Sequence, residues 1–228
     1  MKFERMPTGV PGLDEVVHGG LVGGRSYLIA GTPGCGKTLL CLQFLLEGQR
    51  RGERCLFISL AEPMREVARN AANFGWDLGG IEKADFTPRS KPRSRPGEEY
   101  RVFAPSDVEE EPAWSLIYGA LRDKRPQRVV IDSLTQLRFL ATDEYQFRNH
   151  LLALPTDLGV SHLADNLILL RYAEYSGNVI KVVSCLKKRL GTFQPEMREY
   201  RVTYKGIAVG DKLAHLHGIL TCTPTHAS

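Results

Sequence analysis

The sequence is poor in cysteine and has no pair of cysteines in a C-x-x-C spacing. Its five (Cys35, Cys41, Cys55, Cys185 and Cys222) are scattered and odd in number. That argues against a disulfide framework and for a reducing compartment. Long hydrophobic runs are missing too: nothing approaches the ~18 residues of a membrane span. The opening MKFERMPTGV has no apolar stretch of the kind a secretory signal carries, so the cytoplasm is the expected location. Charge of one sign is also lacking. With 30 basic and 26 acidic residues the net charge is +4, too even to argue for nucleic acid by itself. There is no internal repeat, and only one glycine-rich phosphate motif.

What is present suits an ordinary globular chain. At 228 residues, 43% hydrophobic and 25% charged, it can form one large domain or one domain with attachments. The stretch GTPGCGKTLL (31–40) holds the spacing G-x-x-x-x-G-K-T of a phosphate loop (Walker A). RSYLIAG before it reads as a buried strand, and KTLLCLQFLLEGQ after it as a helix with Leu39, Leu42, Leu45 and Leu46 at helical spacing. Strand, loop and helix are the context this motif requires.

Downstream, RCLFISL (54–60) is a predicted strand. Pro63 is expected at the first position of a helix whose face is Met64, Val67, Ala68, Ala71 and Phe74, with Gly75 as its stop. KADFT (83–87) is a short strand. PRSKPRSRPGEE (88–99) is a basic, proline-rich loop, PAWSLIYGALRDK (112–124) a helix, QRVVIDS (127–133) a buried strand, and DEYQFRNHLLAL (143–154) a helix. NLILLRY (166–172) and VIKVVSCLKKR (179–189) are strands around the turn YSGN. REYRVTYKGIAVG (198–210) alternates as a hairpin strand does, and 211–228 shows no clear pattern. The expected fold class is α/β: a mostly parallel sheet flanked by helices and extended by antiparallel strands at its C-terminal end.

The candidate site follows from this layout. Backbone N–H groups at 34–38 form an anion cradle ahead of a helix. The nucleotide-contacting set is Gly31, Thr32, Pro33, Gly34, Cys35, Gly36, Lys37, Thr38 and Leu39. Lys37 is placed to reach the β- and γ-oxygens, and the Thr38 hydroxyl to bind Mg²⁺. Asp132, at the end of an apolar strand, is the second magnesium candidate, against the simpler role of an Asp that starts a turn. Many phosphate-loop ATPases put a Glu directly after that Asp; here the residue is Ser133. Glu62, ending its own strand at the same sheet edge, is the candidate base, against the plain alternative of an acid at a helix N-terminus, worth about 0.3–1 kcal/mol. The basic loop (Arg89, Lys91, Arg93, Arg95) has no interleaved aromatics to stack on bases, so nucleic acid is not the expected partner. His215 and His217 have no further metal ligand nearby in sequence.

Several segments together resemble the KaiC group of RecA-like ATPases. MPTGVPGLDEVVHGGLVGGRSYLIAGTPGCGKT resembles its N-terminal signature, with T-G-x-x-G-L-D and G-G-L ahead of the loop. SLAEP…VARNAANFGWDL resembles its strand–glutamate–helix segment and RVVIDSLTQL its magnesium strand. GVSHLADNLILLRY and VVSCLKKRLGTFQPEMREYRVTYKGIAVG resemble its last strands. The resemblance runs to about residue 210, giving an ATPase domain over 1–210 and a tail over 211–228. It implies ATP and Mg²⁺ as ligands and a homo-oligomer, commonly a hexameric ring with nucleotide between subunits. Lys187 and Arg189 match a K-x-R that reaches a neighbour's γ-phosphate, and trans groups of this kind are worth about 10³–10⁵ in rate in other NTPases. Glu62 matches the second of two adjacent glutamates in the clock proteins, the first of which is Ala61 here. Serine or threonine autophosphorylation occurs in some relatives, in a second domain that is not expected here.

One departure bears on activity. The group usually runs from the helix after the magnesium strand into another parallel strand, central in the sheet. Here only 155–165 separate that helix from the strand predicted at 166–172. A parallel crossover takes a dozen or more residues, so a strand and its return do not both fit. Three functions stay open on the sequence: a KaiC-like signalling or clock-type ATPase, a nucleotide-binding switch or scaffold that hydrolyses poorly, and a RadA-like recombination ATPase on DNA.

Overall fold

The computed structural model describes residues 4–87, 111–139, 166–175, 177–188, 196–214, 216–217 and 225–226. The basic loop, the predicted helix at 143–154 and the segment 155–165 lie outside them. Elements run β1 (Arg5–Met6), α1 (Leu13–Val16), β2 (Leu21–Val22), β3 (Tyr27–Gly31), α2 (Lys37–Arg50), β4 (Cys55–Ser59), α3 (Met64–Ala72) and β5 (Ile81–Asp85). Then come α4 (Glu111–Lys124), β6 (Arg128–Asp132), α5 (Leu134–Phe139), β7 (Asn166–Tyr175), β8 (Asn178–Lys188), β9 (Met197–Thr203), β10 (Gly206–Lys212), β11 (Leu216–His217) and β12 (Thr225–His226).

The α/β class is as expected. β4 pairs in parallel with β5 on one side and β6 on the other. Its residues alternate between two helical layers, as the period of two in a strand dictates. Leu56 and Ile58 pack with Trp114, Ile117 and Leu121 of α4. Cys55 and Phe57 pack with Leu42 and Leu45 of α2 and with Val67 and Ala71 of α3. All five β4 residues are buried, and a fully buried Phe or Leu is worth about 1.5–3 kcal/mol.

β3 pairs in parallel with β7, after which β8, β9 and β10 add antiparallel neighbours in the order β10-β9-β8-β7-β3. Among the described residues β3 and β6 have no hydrogen-bonded strand between them, and they belong to separate sheets. The segment in which the sequence leaves no room for the usual central strand lies outside the described residues.

Several expectations need adjustment. Pro63 caps α3 from outside and is not its first helical residue. Ala68 is exposed, so the buried face of α3 is Val67 and Ala71. The 198–210 segment is two strands joined at Tyr204–Lys205, and the second runs on to Lys212. α5 was not anticipated. Among the described residues no helix is long and apolar enough to cross a membrane.

The N-terminal signature has a local physical basis. The Asp14 carboxylate accepts from the Thr8 N–H at 2.9 Å and the Thr8 hydroxyl at 2.7 Å. This closes TGVPGLD into a loop. Gly12 lies so close to β10 that a Cβ there would stand 2.2 Å from the Val209 carbonyl oxygen. The Val209 N–H bonds back to the Pro11 carbonyl at 2.8 Å. The motif therefore seats the N-terminal segment on the last strand of the larger sheet.

Candidate functional site

β3 delivers Gly31 to the upper edge of its sheet, and the loop 32–36 leads into α2. At Gly31 a side chain has no room: a Cβ would lie 2.3 Å from the Leu170 carbonyl oxygen of β7 and 2.7 Å from Cys35 Sγ. The loop thus folds back on its own strand end. Lys37, at the start of α2, donates from Nζ to the carbonyls of Gly31 at 2.9 Å and Thr32 at 3.0 Å. The ammonium lies over the loop that its neighbours form. Leu39 is half-buried and packs into the core beside β10, behind the loop.

β6 brings Asp132 to the same region. Its Oδ2 accepts from the Thr38 hydroxyl at 2.6 Å, and its backbone carbonyl accepts from the Leu60 N–H at 2.8 Å. The Asp132–Ser133 peptide is cis. A hydroxyl and a carboxylate side by side are hard oxygen donors. Mg²⁺ is held by one or two such groups together with phosphates and water, so this pair fits it. Among the described residues no three His, Cys, Asp or Glu side chains gather to hold a metal alone. His215 lies outside the described residues.

Cys41, one turn along α2 from Thr38, is also near. Burial pushes its thiol up to about 12; the Asp132 carboxylate adds to this, and Lys37 opposes it. The thiol therefore stays protonated at neutral pH when nothing is bound beside it.

Glu62 stands in the link between β4 and α3. Ser59, whose register partner is Asp132, donates its hydroxyl to the Glu62 carbonyl. The Glu62 carboxylate accepts from Asn70 Nδ2 at 3.0 Å. Asp132 ends β6 as expected, whereas the adjacent β4 stops at Ser59 and Glu62 follows in the link at the same sheet edge rather than ending the strand. Ala61 beside Glu62 is exposed, so the two-carboxylate arrangement is absent.

Lys187 is placed elsewhere. In β8 it pairs with Leu167 of β7, which pairs with Leu28 of β3, whereas Gly31 pairs with Leu170. Its backbone is thus three residue steps, about 10 Å, down the sheet from the phosphate loop, and two strands across. The register therefore sets its backbone apart from the chain's own phosphate loop. Arg189 lies outside the described residues.

Sequence reasoning missed one support. The Tyr200 hydroxyl of β9, buried, donates to the Cys35 carbonyl at the centre of the loop. Burial raises its phenol above the ordinary range, so it remains a donor. The alternation of REYRVTY pointed Tyr200 to one face of its strand, but nothing local linked it to a loop 165 residues away.

Comparison with known proteins agrees with this geometry. The family model described as "ATPase: KaiC" matches residues 6–158. The circadian clock oscillator protein KaiC of Thermostichus vulcanus is 28% identical over 254 aligned positions, covering 98% of this chain and 46% of that protein. The chain thus spans about half the length of the clock proteins it matches. A UPF0273 protein of Pyrococcus horikoshii is 30% identical, with 90% of this chain and 93% of that protein covered. A KaiC-like protein structure, also from Pyrococcus horikoshii, superposes with a TM-score of 0.75 at 24% identity, over 92% of this chain and all of that one; it supports the fold. An alignment of 254 positions exceeds the 228 residues present. The clock protein therefore carries positions with no counterpart here.

Proposed function

The chain belongs to the KaiC family of ATPases, and on that footing we propose that it binds ATP with Mg²⁺ and hydrolyses it as a homo-oligomer. The observation that carries this is the 2.6 Å contact between Thr38 and Asp132, which joins the phosphate-loop helix to a carboxylate 94 residues away. In this scheme the N–H groups of 34–38 hold the β-phosphate. Lys37 exchanges its two carbonyl partners for β- and γ-oxygens. Thr38 and Asp132 hold Mg²⁺, which when bound offsets the charge of the phosphates. Glu62 orients a water for in-line attack on the γ-phosphorus and accepts its proton, while the bond to the leaving ADP oxygen breaks. Lys187 and Arg189 act on a neighbour's nucleotide; the distance of the Lys187 backbone from its own loop supports a role in trans. A ring of six in the cytoplasm, signalling through a protein partner, is the assembly this scheme fits.

The test is turnover of Mg²⁺-ATP by the purified protein against Lys37→Ala and Glu62→Gln. Loss of about 10²–10⁴ in kcat is expected for Glu62→Gln, and a larger loss for Lys37→Ala with nucleotide binding gone. Equal hydrolysis by wild type and Lys37→Ala overturns the enzyme. Sizing with and without ATP checks the assembly; a strict monomer under both conditions removes the trans groups. A second function, a switch that holds ATP and scarcely splits it, is favoured by Ala61 beside the lone Glu62. It predicts tight ATP binding that Lys37→Ala abolishes, with turnover that Glu62→Gln leaves unchanged.

A further inference from the structure

We propose that Asn70 is the positioning residue for Glu62, fixing the direction of its carboxylate so that the free oxygen faces the water. This rests on the assignment of Glu62 as the base. Glu62 is anchored at two points. Its backbone carbonyl is held by the hydroxyl of Ser59, which is 1% exposed at the end of β4. Its side-chain Oε1 is held by Asn70 Nδ2 at 3.0 Å. Asn70 itself is set by α3, and the start of α3 is fixed from β5, where Asp85 Oδ2 accepts from the Met64 N–H at 2.9 Å. The chain of support thus runs from one strand end, through the helix, to a single carboxylate oxygen.

The chemistry of the donor matters. An amide N–H binds one oxygen and brings no full charge, so the second oxygen stays available to a water. An arginine in that place would engage both oxygens in a bidentate pair. An aspartate would present a like charge and turn the glutamate away. Helical Cβ atoms tilt toward the helix N-terminus, so Asn70, almost two turns into α3, can reach back to Glu62, which precedes the capping Pro63. Asn70 is exposed, so its hydrogen bond competes with water and contributes little to global stability. That separates a positioning role from a structural one.

The experiment is steady-state Mg²⁺-ATP hydrolysis by the full chain with Asn70→Ala, Asn70→Asp, Asn70→Gln, Glu62→Gln and the double variant Asn70→Ala/Glu62→Gln. Nucleotide affinity and urea midpoints are measured alongside. Asn70→Ala should lower kcat ~10-fold, the lower end for losing an outer partner of a catalytic group, with KM, ATP affinity and midpoint unchanged. Asn70→Asp should fall at least as far, and Asn70→Gln should recover part of the rate. The double variant should be no slower than Glu62→Gln, because a group that acts through another has nothing left to position. Additive losses in the double variant, or wild-type kcat in Asn70→Ala beside a slow Glu62→Gln, overturn the proposal and leave Glu62 as the base. Wild-type turnover in Glu62→Gln, or no turnover by the wild type, overturns both.

Discussion

β3 and β4 are both five-residue apolar strands, and each leads toward a candidate functional group beyond its C-terminal end. Their surroundings differ. β4 has a parallel partner on each side and a helical layer on each face, and all five of its residues are buried. β3 has one partner among the described residues, and all five of its residues are only half-buried. Among the described residues no sheet hydrogen bonds join the phosphate-loop side to the Asp132 side. Side chains do, and they converge on α2. Leu42 and Leu45 of that helix pack on β4, and Leu40 packs with the core around β7 to β10. At the upper end of β6, Thr38 bonds Asp132. At its lower end Arg128, 1% exposed, pairs with Glu53 and donates to the carbonyls of Pro7 at 2.7 Å and Phe44 at 2.8 Å, its guanidinium 4.5 Å from the centre of the Phe44 ring. Among the described residues β6 has a strand neighbour on one side only, and its two end residues tie it to the rest of the molecule.

The largest effect should come from removing the lower of these ties. Arg128→Ala leaves Glu53 and two half-buried carbonyls without the donor that Arg128 supplies, a kind of loss that costs about 3–5 kcal/mol. Urea denaturation should report that loss. Amide exchange should report where it falls, with β6 opening more easily while β7 and β8 keep their relative protection. Equal loosening of both sheets would mean that they unfold as one unit, and the contrast between them would have no energetic content.

Arg128 also marks the limit of what could be read in the sequence. RVVID reads well as a strand because its apolar run is local, and GTPGCGKT reads well as a phosphate loop because strand, loop and helix are contiguous. The strands that lead to Glu62 and Asp132 were legible for the same reason, since each is a recognisable apolar run. A leading arginine, by contrast, looks like a solvated flank, and its burial depends on Glu53, Pro7 and Phe44 from three other segments. Asn70 sits on a helix face that reads as polar, and its partner is eight residues away across a proline. The closing β9–β10 hairpin read as one alternating stretch because the turn Tyr204–Lys205–Gly206 carries a weak signal for its position. Local order was legible; tertiary side-chain contacts were not.

On the phosphate-loop side the corresponding brace is lighter. Tyr200→Phe keeps the ring and removes only the hydroxyl that meets the Cys35 carbonyl. A buried acceptor that loses its donor costs about 1–2 kcal/mol. Because the brace touches the loop itself, ATP affinity should weaken several-fold in titration calorimetry, whereas Arg128→Ala should act first on stability. If Tyr200→Phe binds ATP as wild type does while losing the same stability, Tyr200 is a core residue and the loop is shaped by its own backbone.

The smallest effect should respect neither side. Glu47, on α2, contacts Arg50 at 2.8 Å and Arg51 at 2.6 Å. The hydrogen bond from Arg50 holds its carboxyl down to about 2 from an ordinary 4.5, with burial opposing and Arg51 assisting. A carboxyl lowered in the folded state contributes stability that is fully present above its unfolded value near 4.5. That stability is lost as pH falls from there toward 2. Arg50 and Arg51 are 70% and 42% exposed, so solvent screening reduces the contribution to ~0.5–1 kcal/mol. The urea-derived difference between wild type and Glu47→Gln should therefore be positive and flat from pH 7 to 5, then shrink as pH is lowered toward 3. Since these pairs are internal to one helix, the variant should shift the exchange of β6 and β7 amides together. A shift confined to β6 would show that the helix surface, and not only its two ties at Thr38 and Arg128, sets how firmly the two sheets are joined.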